Sequence, residues 1–309
     1  MTSISNPEPL QPDWTGPLTP SGNLRRREAV SRLITGGAAA AAVIAVAMLV
    51  IVVFDVASKG LKILSYGFVI HNTVGLGGGG IANALLGTAV IVAFASLLAL
   101  PVGVLTGLYL SEFADASSRL GRVLKLALDL LQGLPTIIVG LFIYGLIVVA
   151  ENKQTGFAAA VALSIVIVPL IARSSQEVLA LVPGSLRDAA DALGVNRWRT
   201  VVGVILPAAA GGITTGAILA IARAAGETAP LLICDSVYDP NATQLFIFGH
   251  GVPSIPMYIL QVSDLPSPDA LNHAWAAAFV MLTFILFANI GARVLVARSR
   301  RKLSGGFSL

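Results

Sequence analysis

The chain is poor in charge, in histidine and in cysteine. Only 12% of its 309 residues are Asp, Glu, Lys or Arg, against roughly 25% in an ordinary soluble domain. A single cysteine, Cys234, excludes an intrachain disulfide. The three histidines, His71, His250 and His273, include no pair at a metal-ligand spacing such as i, i+4, so they read as surface residues. No Gly-Lys dipeptide occurs, which removes the lysine-bearing loop that cradles phosphates in nucleotide-hydrolysing sites. Neither His-Glu-x-x-His nor Gly-x-Ser-x-Gly is present, and the buried charges form no nucleophile–base pair, so an intramembrane enzyme finds no support. What is abundant is apolar surface: 56% of residues are hydrophobic and the mean hydropathy is +0.84. That composition places most of the chain in lipid. The pI near 9.5 does not indicate nucleic acid, because the basic residues are scattered among short segments rather than gathered in one patch.

Crossing about 30 Å of hydrocarbon takes roughly 20 apolar residues as a helix. Six stretches qualify, at about 33–54, 81–110, 124–149, 157–181, 207–234 and 274–297. The second has no charged residue from Ile81 through Leu110, whereas Arg173 and Glu177 interrupt the fourth. The predicted class is therefore all-α, a polytopic membrane protein with six transmembrane helices. Residues 1–31, rich in Pro, Ser and Asn, read as a disordered cytoplasmic tail, and 32–303 as the membrane domain. With the N-terminus inside, sixteen of the twenty Lys and Arg residues fall in cytoplasmic segments. They are Arg25, Arg26, Arg27 and Arg32; Arg119, Arg122 and Lys125; Arg173, Arg187, Arg197 and Arg199; and Arg293, Arg298, Arg300, Arg301 and Lys302. Only Lys59, Lys62 and Lys153 fall outside, and Arg223 lies within a span. The asymmetry puts both termini in the cytoplasm of a cell-membrane protein. Residues 236–273 carry no Lys or Arg but contain Pro240, Pro253, Pro256, Pro266 and Pro268, which suits an ordered outer cap or docking surface.

One polar element, 183–207, interrupts the apolar pattern. Pro183-Gly184 stops the fourth span. Ser185 then has the position of an N-cap, with Asp188 completing a capping-box spacing. A helix is predicted from Leu186 to Leu193, ended by Gly194 in the left-handed conformation, and Asn196 is placed to cap a second helix bearing Arg197, Trp198 and Arg199. An ordinary loop or a plug for a motor subunit both fit this pattern. The stretch resembles the EAA loop of binding-protein-dependent ABC importers, E-A-A-x3-G-x9-I-x-L-P. Asp188-Ala189-Ala190, Gly194, Val204 and Leu206-Pro207 fall in register, with Asp for the usual Glu and Val for the usual Ile. The resemblance implies a type I ABC importer permease architecture with a cytoplasmic coupling helix. It implies ATPase coupling through Asp188, Ala189, Ala190, Gly194, Trp198, Leu206 and Pro207. No cofactor is expected on this chain; ATP and magnesium are used by a separate ATPase.

Within the spans, Arg223 and Glu227 are i, i+4 in the stretch Ala222-Arg-Ala-Ala-Gly226-Glu-Thr228-Ala-Pro230. As one helix they reach each other and form either a self-neutralising packing pair or an anion site. A guanidinium fork suits a tetrahedral oxyanion, while Gly226 and Pro230 predict a bend that frees backbone groups. Gln132-Gly133-Leu134-Pro135-Thr136 predicts a break in the third span, with Gln132 and Thr136 as pathway candidates. Arg173 either lines the inner path or snorkels to headgroups. Asp129 is matched to Lys125 at i, i+4. Ala222 to Leu232 resembles oxyanion permeases, and Gly226-Glu-Thr-Ala-Pro-Leu-Leu232 is similar to phosphate permeases of the PstA type; Asn83-x3-Gly87-Thr88 agrees. That resemblance implies import of inorganic phosphate past Arg223, Glu227 and Thr228. It also implies a sister permease of the PstC type, two ATPase subunits and an extracytoplasmic phosphate-binding protein. Sulfate is the rival substrate, and a gradient-driven transporter the rival mechanism; the latter leaves 183–207 unexplained.

Overall fold

The computed structural model describes residues 24–75, 78–115, 117–236 and 247–304. The regular elements among them are all helical, with one isolated bridge between Thr73 and Gly79. Two compact units emerge, Met1–Asp55 and Val56–Leu309. The described part of the first is most of helix α1 (Leu24–Gly60), exposed along nearly its whole length up to Asp55. An apolar helix with no polar face is suited to lipid. Residues 1–23 of the expected tail lie outside the described residues, and α1 already includes the arginines from 25 to 27.

The second unit contains α2 (Tyr66–Ile70) and α3 (Ala82–Leu108), which runs on into a π-helical turn, Tyr109–Phe113. Next come α4 (Arg119–Gly133) and α5 (Thr136–Ile143), then a π-helical turn, Tyr144–Val148, and α6 (Val149–Glu151). They are followed by α7 (Gly156–Ala180), α8 (Gly184–Ala192) and α9 (Arg197–Thr200). A π-helical turn, Val201–Ile205, leads into α10 (Leu206–Ala224), and α11 (Ala229–Cys234), α12 (Ile255–Ser263) and α13 (Pro268–Ser304) complete the unit.

Five helical stretches, Arg26–Gly60, Ala82–Phe113, Gly156–Ala180, Arg197–Ala224 and Pro268–Gly291, are long and apolar enough to span a bilayer, and a bent pair makes a sixth. Two of them depart from the expected stretches. The third is bent by 104° between Arg119–Gly133 and Thr136–Glu151. Leu134 precedes Pro135 and takes an extended ψ of 136°, as the proline ring requires. The fifth begins at Arg197 and ends at Ala224, leaving α11 as a separate short helix.

The fourth span, the most interrupted in sequence, is the most enclosed in the fold. Helix α7 buries Ala158 to Ala160, Leu163, Ile167 and Ile171 completely. It is gripped by two Gly-x3-Gly stripes. A β-carbon on Gly103 or Gly107 of α3 would lie 2.8 Å from Ile171 or 2.6 Å from the Ala172 carbonyl oxygen. On α10, one on Gly212 or Gly216 would lie 2.5 Å from Val178 or Ser174. In lipid, where burial supplies little drive between helices, such close approach gains the dispersion contacts that hold spans together.

At the end of the bundle near the start of α7, the segment 247–256 closes over the helix ends. Ile247 and His250 accept the Phe157 and Gly156 N–H groups. Asn83 Oδ1 accepts from Thr73 Oγ1 at 2.9 Å, and Thr88 Oγ1 accepts from Ile255 N at 2.9 Å. Asp235, one residue past the fifth apolar stretch and 2% exposed, accepts the Val252 N–H at 3.1 and 3.2 Å. Burial pushes its carboxyl up to about 8, with the Val252 hydrogen bond opposing. A folded-state value above the unfolded one means stability is full below about pH 4 and is lost as pH rises toward 8. Asp235→Asn keeps an acceptor and removes the titration. Thermal melting should show the variant gaining on the wild type by on the order of 2 kcal/mol between pH 6 and pH 8.5; a pH-independent gap refutes the buried ionisation.

Candidate functional site

Two helix breaks face each other in the middle of the bundle. One is Leu134-Pro135, between α4 and α5. The other is 225–228, between α10 and α11, where Gly226 N and Glu227 N bond back three residues to the Arg223 and Ala224 carbonyls at 3.0 Å each. Helices α5 and α11 pack tightly across Gly140, whose carbonyl accepts from Cys234 Sγ at 3.3 Å. A β-carbon at Gly140 would lie 3.1 Å from Pro230 Cα. This contact holds the breaks in register.

Between them lies a cavity of about 240 Å³, lined by Leu131, Gln132, Leu134, Thr136, Val139, Val166, Pro169, Leu170 and Arg223. The sequence candidates Gln132, Thr136 and Arg223 thus come together, from three helices. Glu227 joins them through its Oε2, which accepts from Thr136 Oγ1 at 3.4 Å. Gln132 Nε2 donates to the Pro169 carbonyl at 3.3 Å. Arg223 makes no ion pair or side-chain hydrogen bond among the described residues. It is the cationic side chain on a wall of mixed polar and apolar character and is itself exposed, so its charge is available to an anion.

Four sequence expectations change here. Arg223 and Glu227 do not pair as i and i+4, because the helix ends at Ala224 and Glu227 lies in the turn beyond it. Arg173 does not line this cavity and is ion-paired with Asp129 of α4. Asp129 therefore has an interhelical partner rather than Lys125, and the pair braces α4 against α7. Thr228 is the residue before α11 and does not line the cavity.

The second assembly is the polar element at the opposite end from the cap. Helix α8 begins at Gly184, with Pro183 before it, two residues earlier than a Ser185 cap implies. Ser185 therefore sits in the first turn and the capping box with Asp188 is not formed. The helix ends as expected, with Gly194 at φ +68° and Val195 N bonded to Ala190 O at 3.0 Å. Asn196 Oδ1 accepts from Trp198 N at 3.0 Å and starts α9. Asp188, Ala189, Gly194 and Pro207 are exposed, Leu206 is half-buried and Ala190 is buried. Leu181 and Leu193 are 79% and 81% exposed and Trp198 54%, an apolar patch on a polar element that marks an interaction surface.

Sequence reading missed Glu112 and Arg187. Glu112, 1% exposed, lies in the π-helical turn after α3. Arg187 of α8 donates to it twice, from Nη2 to Oε1 at 2.6 Å and from Nε to Oε2 at 3.1 Å. The hydrogen bond to Glu112 raises the guanidinium above its ordinary value, against the opposing effect of burial. The one sequence signal was a glutamate just past an otherwise uncharged span.

Residues 99–301 match the family described as binding-protein-dependent transport system inner membrane component. The chain is 36% identical over 244 residues to the phosphate transport system permease protein PstA of Pasteurella multocida, covering 79% of this chain and 86% of that one. It is 36% identical over 228 residues to the phosphate transport system permease protein PstA 1 of Mycobacterium tuberculosis, covering 73% of each. Among solved structures, the inward-facing MetNI methionine ABC transporter superposes with a TM-score of 0.56 at 20% identity, over 71% of this chain and 94% of that one. A bacterial ABC transporter that imports the acidic polysaccharide alginate gives 0.59 at 14% identity, over 88% and 99%. The fold is therefore that of ABC importer permeases, and the chain belongs to the inner membrane components of binding-protein-dependent transport systems, their non-catalytic, membrane-spanning part.

Proposed function

We propose that this chain is a permease subunit of an ATP-driven importer of inorganic phosphate, forming half of the translocation path. The observation that carries the reading is Arg223, without an ion-pair partner among the described residues, on the wall of the cavity between the two helix breaks, with Thr136 and Glu227 beside it. A guanidinium fork matches a tetrahedral oxyanion in two directions at once. A carboxylate nearby favours an anion that still carries a proton near neutral pH, as phosphate does and sulfate does not. The identities to phosphate permeases support the same substrate.

Both termini are cytoplasmic in this reading, so α8 and α9 face the cytoplasm. They dock on a separate ATPase, present in two copies, that binds ATP and magnesium. A sister permease of the PstC type completes the path, and an extracytoplasmic phosphate-binding protein delivers to it. The purified complex in liposomes should take up phosphate only when ATP is supplied, with sulfate a poor competitor. ATP-independent uptake, or uptake that prefers sulfate, overturns the proposal.

The docking surface has its own test. Leu193 and Trp198 present large apolar area in water, and such side chains dominate interface energies. Leu193→Asp and Trp198→Ala should each weaken retention of the ATPase by roughly tenfold or more in pull-down titrations. Unchanged retention by both rules the surface out.

A further inference from the structure

Adjacent residues of one π-helical turn hold both helices of the polar element. Glu112 takes Arg187 of α8 in a two-bond ion pair. Phe113 packs against Trp198 of α9, with ring centroids 5.9 Å apart, and Arg197 of α9 sits 6.0 Å from the Phe113 ring. A π-turn adds a residue to the helical repeat and re-aims the side chains that follow, and such turns gather at functional sites. Arg187 extends the hold to a third element. Its Nη1 donates to the Val182 carbonyl at 2.8 Å and its Nη2 to the Leu179 carbonyl at 3.1 Å, at the C-terminal end of α7. Both lie where a helix end runs short of intrahelical donors, and the Leu179 carbonyl also takes the Val182 N–H at 3.2 Å.

We infer that Glu112 and Phe113 are positioning residues, a two-pronged grip that makes the inner end of the second span, α8 and α9 move as one lever. The inference rests on the reading of α8 and α9 as the surface that receives the motor's motion. Separating α8 from the span strands a carboxylate that is 1% exposed, and a buried charge without its partner is strongly disfavoured. Parting α9 from it opens the aromatic contact. The pull on the polar element therefore passes directly into α3, whose Gly103 and Gly107 lie against α7, and into α7 itself through Leu179 and Val182. The cavity wall carries Val166, Pro169 and Leu170 of α7, so Arg187 links the docking surface to a helix that lines the path.

The test uses the complete transporter with pairs of spin labels, read without nucleotide and with nucleotide trapped by vanadate. Labels at Asp115 and Asp191 report across the grip, and labels at Asp191 and Lys153 report along the bundle. The expected result is a changed Asp191–Lys153 distance with an unchanged Asp115–Asp191 distance. If both distances change, the grip is not rigid and the inference fails while the coupling reading stands. If neither changes, while a cysteine at Leu193 also fails to cross-link to the ATPase, the coupling reading itself is wrong and takes the grip with it. A second arm replaces the ion pair by apolar residues, Glu112→Leu with Arg187→Met. Assembled complexes should hydrolyse ATP but import several-fold less phosphate per ATP. A wild-type ratio overturns the lever, and if the double variant does not assemble, the wild-type distances decide.

Discussion

Arg223→Ala should lower phosphate uptake by the assembled transporter by about 10- to 150-fold. The residue lies at the last turn of α10, on a wall otherwise built mainly from Leu131, Leu134, Val139, Val166, Pro169 and Leu170. A hydrogen bond to a charged group contributes roughly 1.5–3 kcal/mol, which corresponds to about 10- to 150-fold. Because Arg223 has no ion-pair partner within the described chain, its removal strands no buried carboxylate through a broken pair. The loss should therefore appear in transport and not in assembly or melting temperature. Arg223→Lys, which keeps charge but not the fork, should fall between the two. Glu227→Gln should narrow the preference for phosphate over sulfate, since the carboxylate that accepts the anion's remaining proton is gone. Initial uptake rates in liposomes, normalised to ATPase content, measure all three. Wild-type uptake by Arg223→Ala places the anion path elsewhere.

The separation of what the sequence revealed from what it hid follows the range of the interaction. Hydropathy located the apolar stretches because lipid acts on each residue alone. Gly194 and Asn196 were legible because a left-handed residue and a side-chain cap are solved within a few positions. The i, i+4 pairing of Arg223 with Glu227 failed because it assumed one continuous helix. Gly226 and Pro230 announced a bend, but only the fold shows that it separates the two side chains and turns Glu227 toward Thr136, 91 residues away. Lys125 was taken as the partner of Asp129 by the same local arithmetic, and Arg173 from another helix displaced it. The Glu112–Arg187 pair is 75 residues apart in the chain, so no spacing rule reaches it. Asn83, Gly87 and Thr88 stood in the sequence as part of a family likeness. In the fold Gly87 and Thr88 meet the 247–256 segment, where Thr88 takes the Ile255 N–H and Gly87 lies beneath Pro253, while Asn83 fastens Thr73.

That arrangement makes Gly87→Ala the substitution with the largest expected cost to stability. The added methyl would sit 1.9 Å from the Pro253 carbonyl oxygen and 2.8 Å from Val252 Cγ1, so the segment must lift away from α3. Two buried hydrogen bonds are at stake on either side of the collision, Ile255 N to Thr88 and Val252 N to Asp235. Overpacking alone costs typically about 1–3 kcal/mol, and each buried polar group left without its partner adds about 1–3 kcal/mol. A total of roughly 3–9 kcal/mol is a large part of the stability of a domain. Thr88→Val separates the two contributions, since it removes one acceptor without the collision and should cost about a third as much. Thermal unfolding of the detergent-solubilised complex should rank wild type above Thr88→Val and Thr88→Val well above Gly87→Ala. Tm values for Gly87→Ala close to wild type would mean that the segment yields freely, and the hydrogen bonds that fasten it would then contribute little.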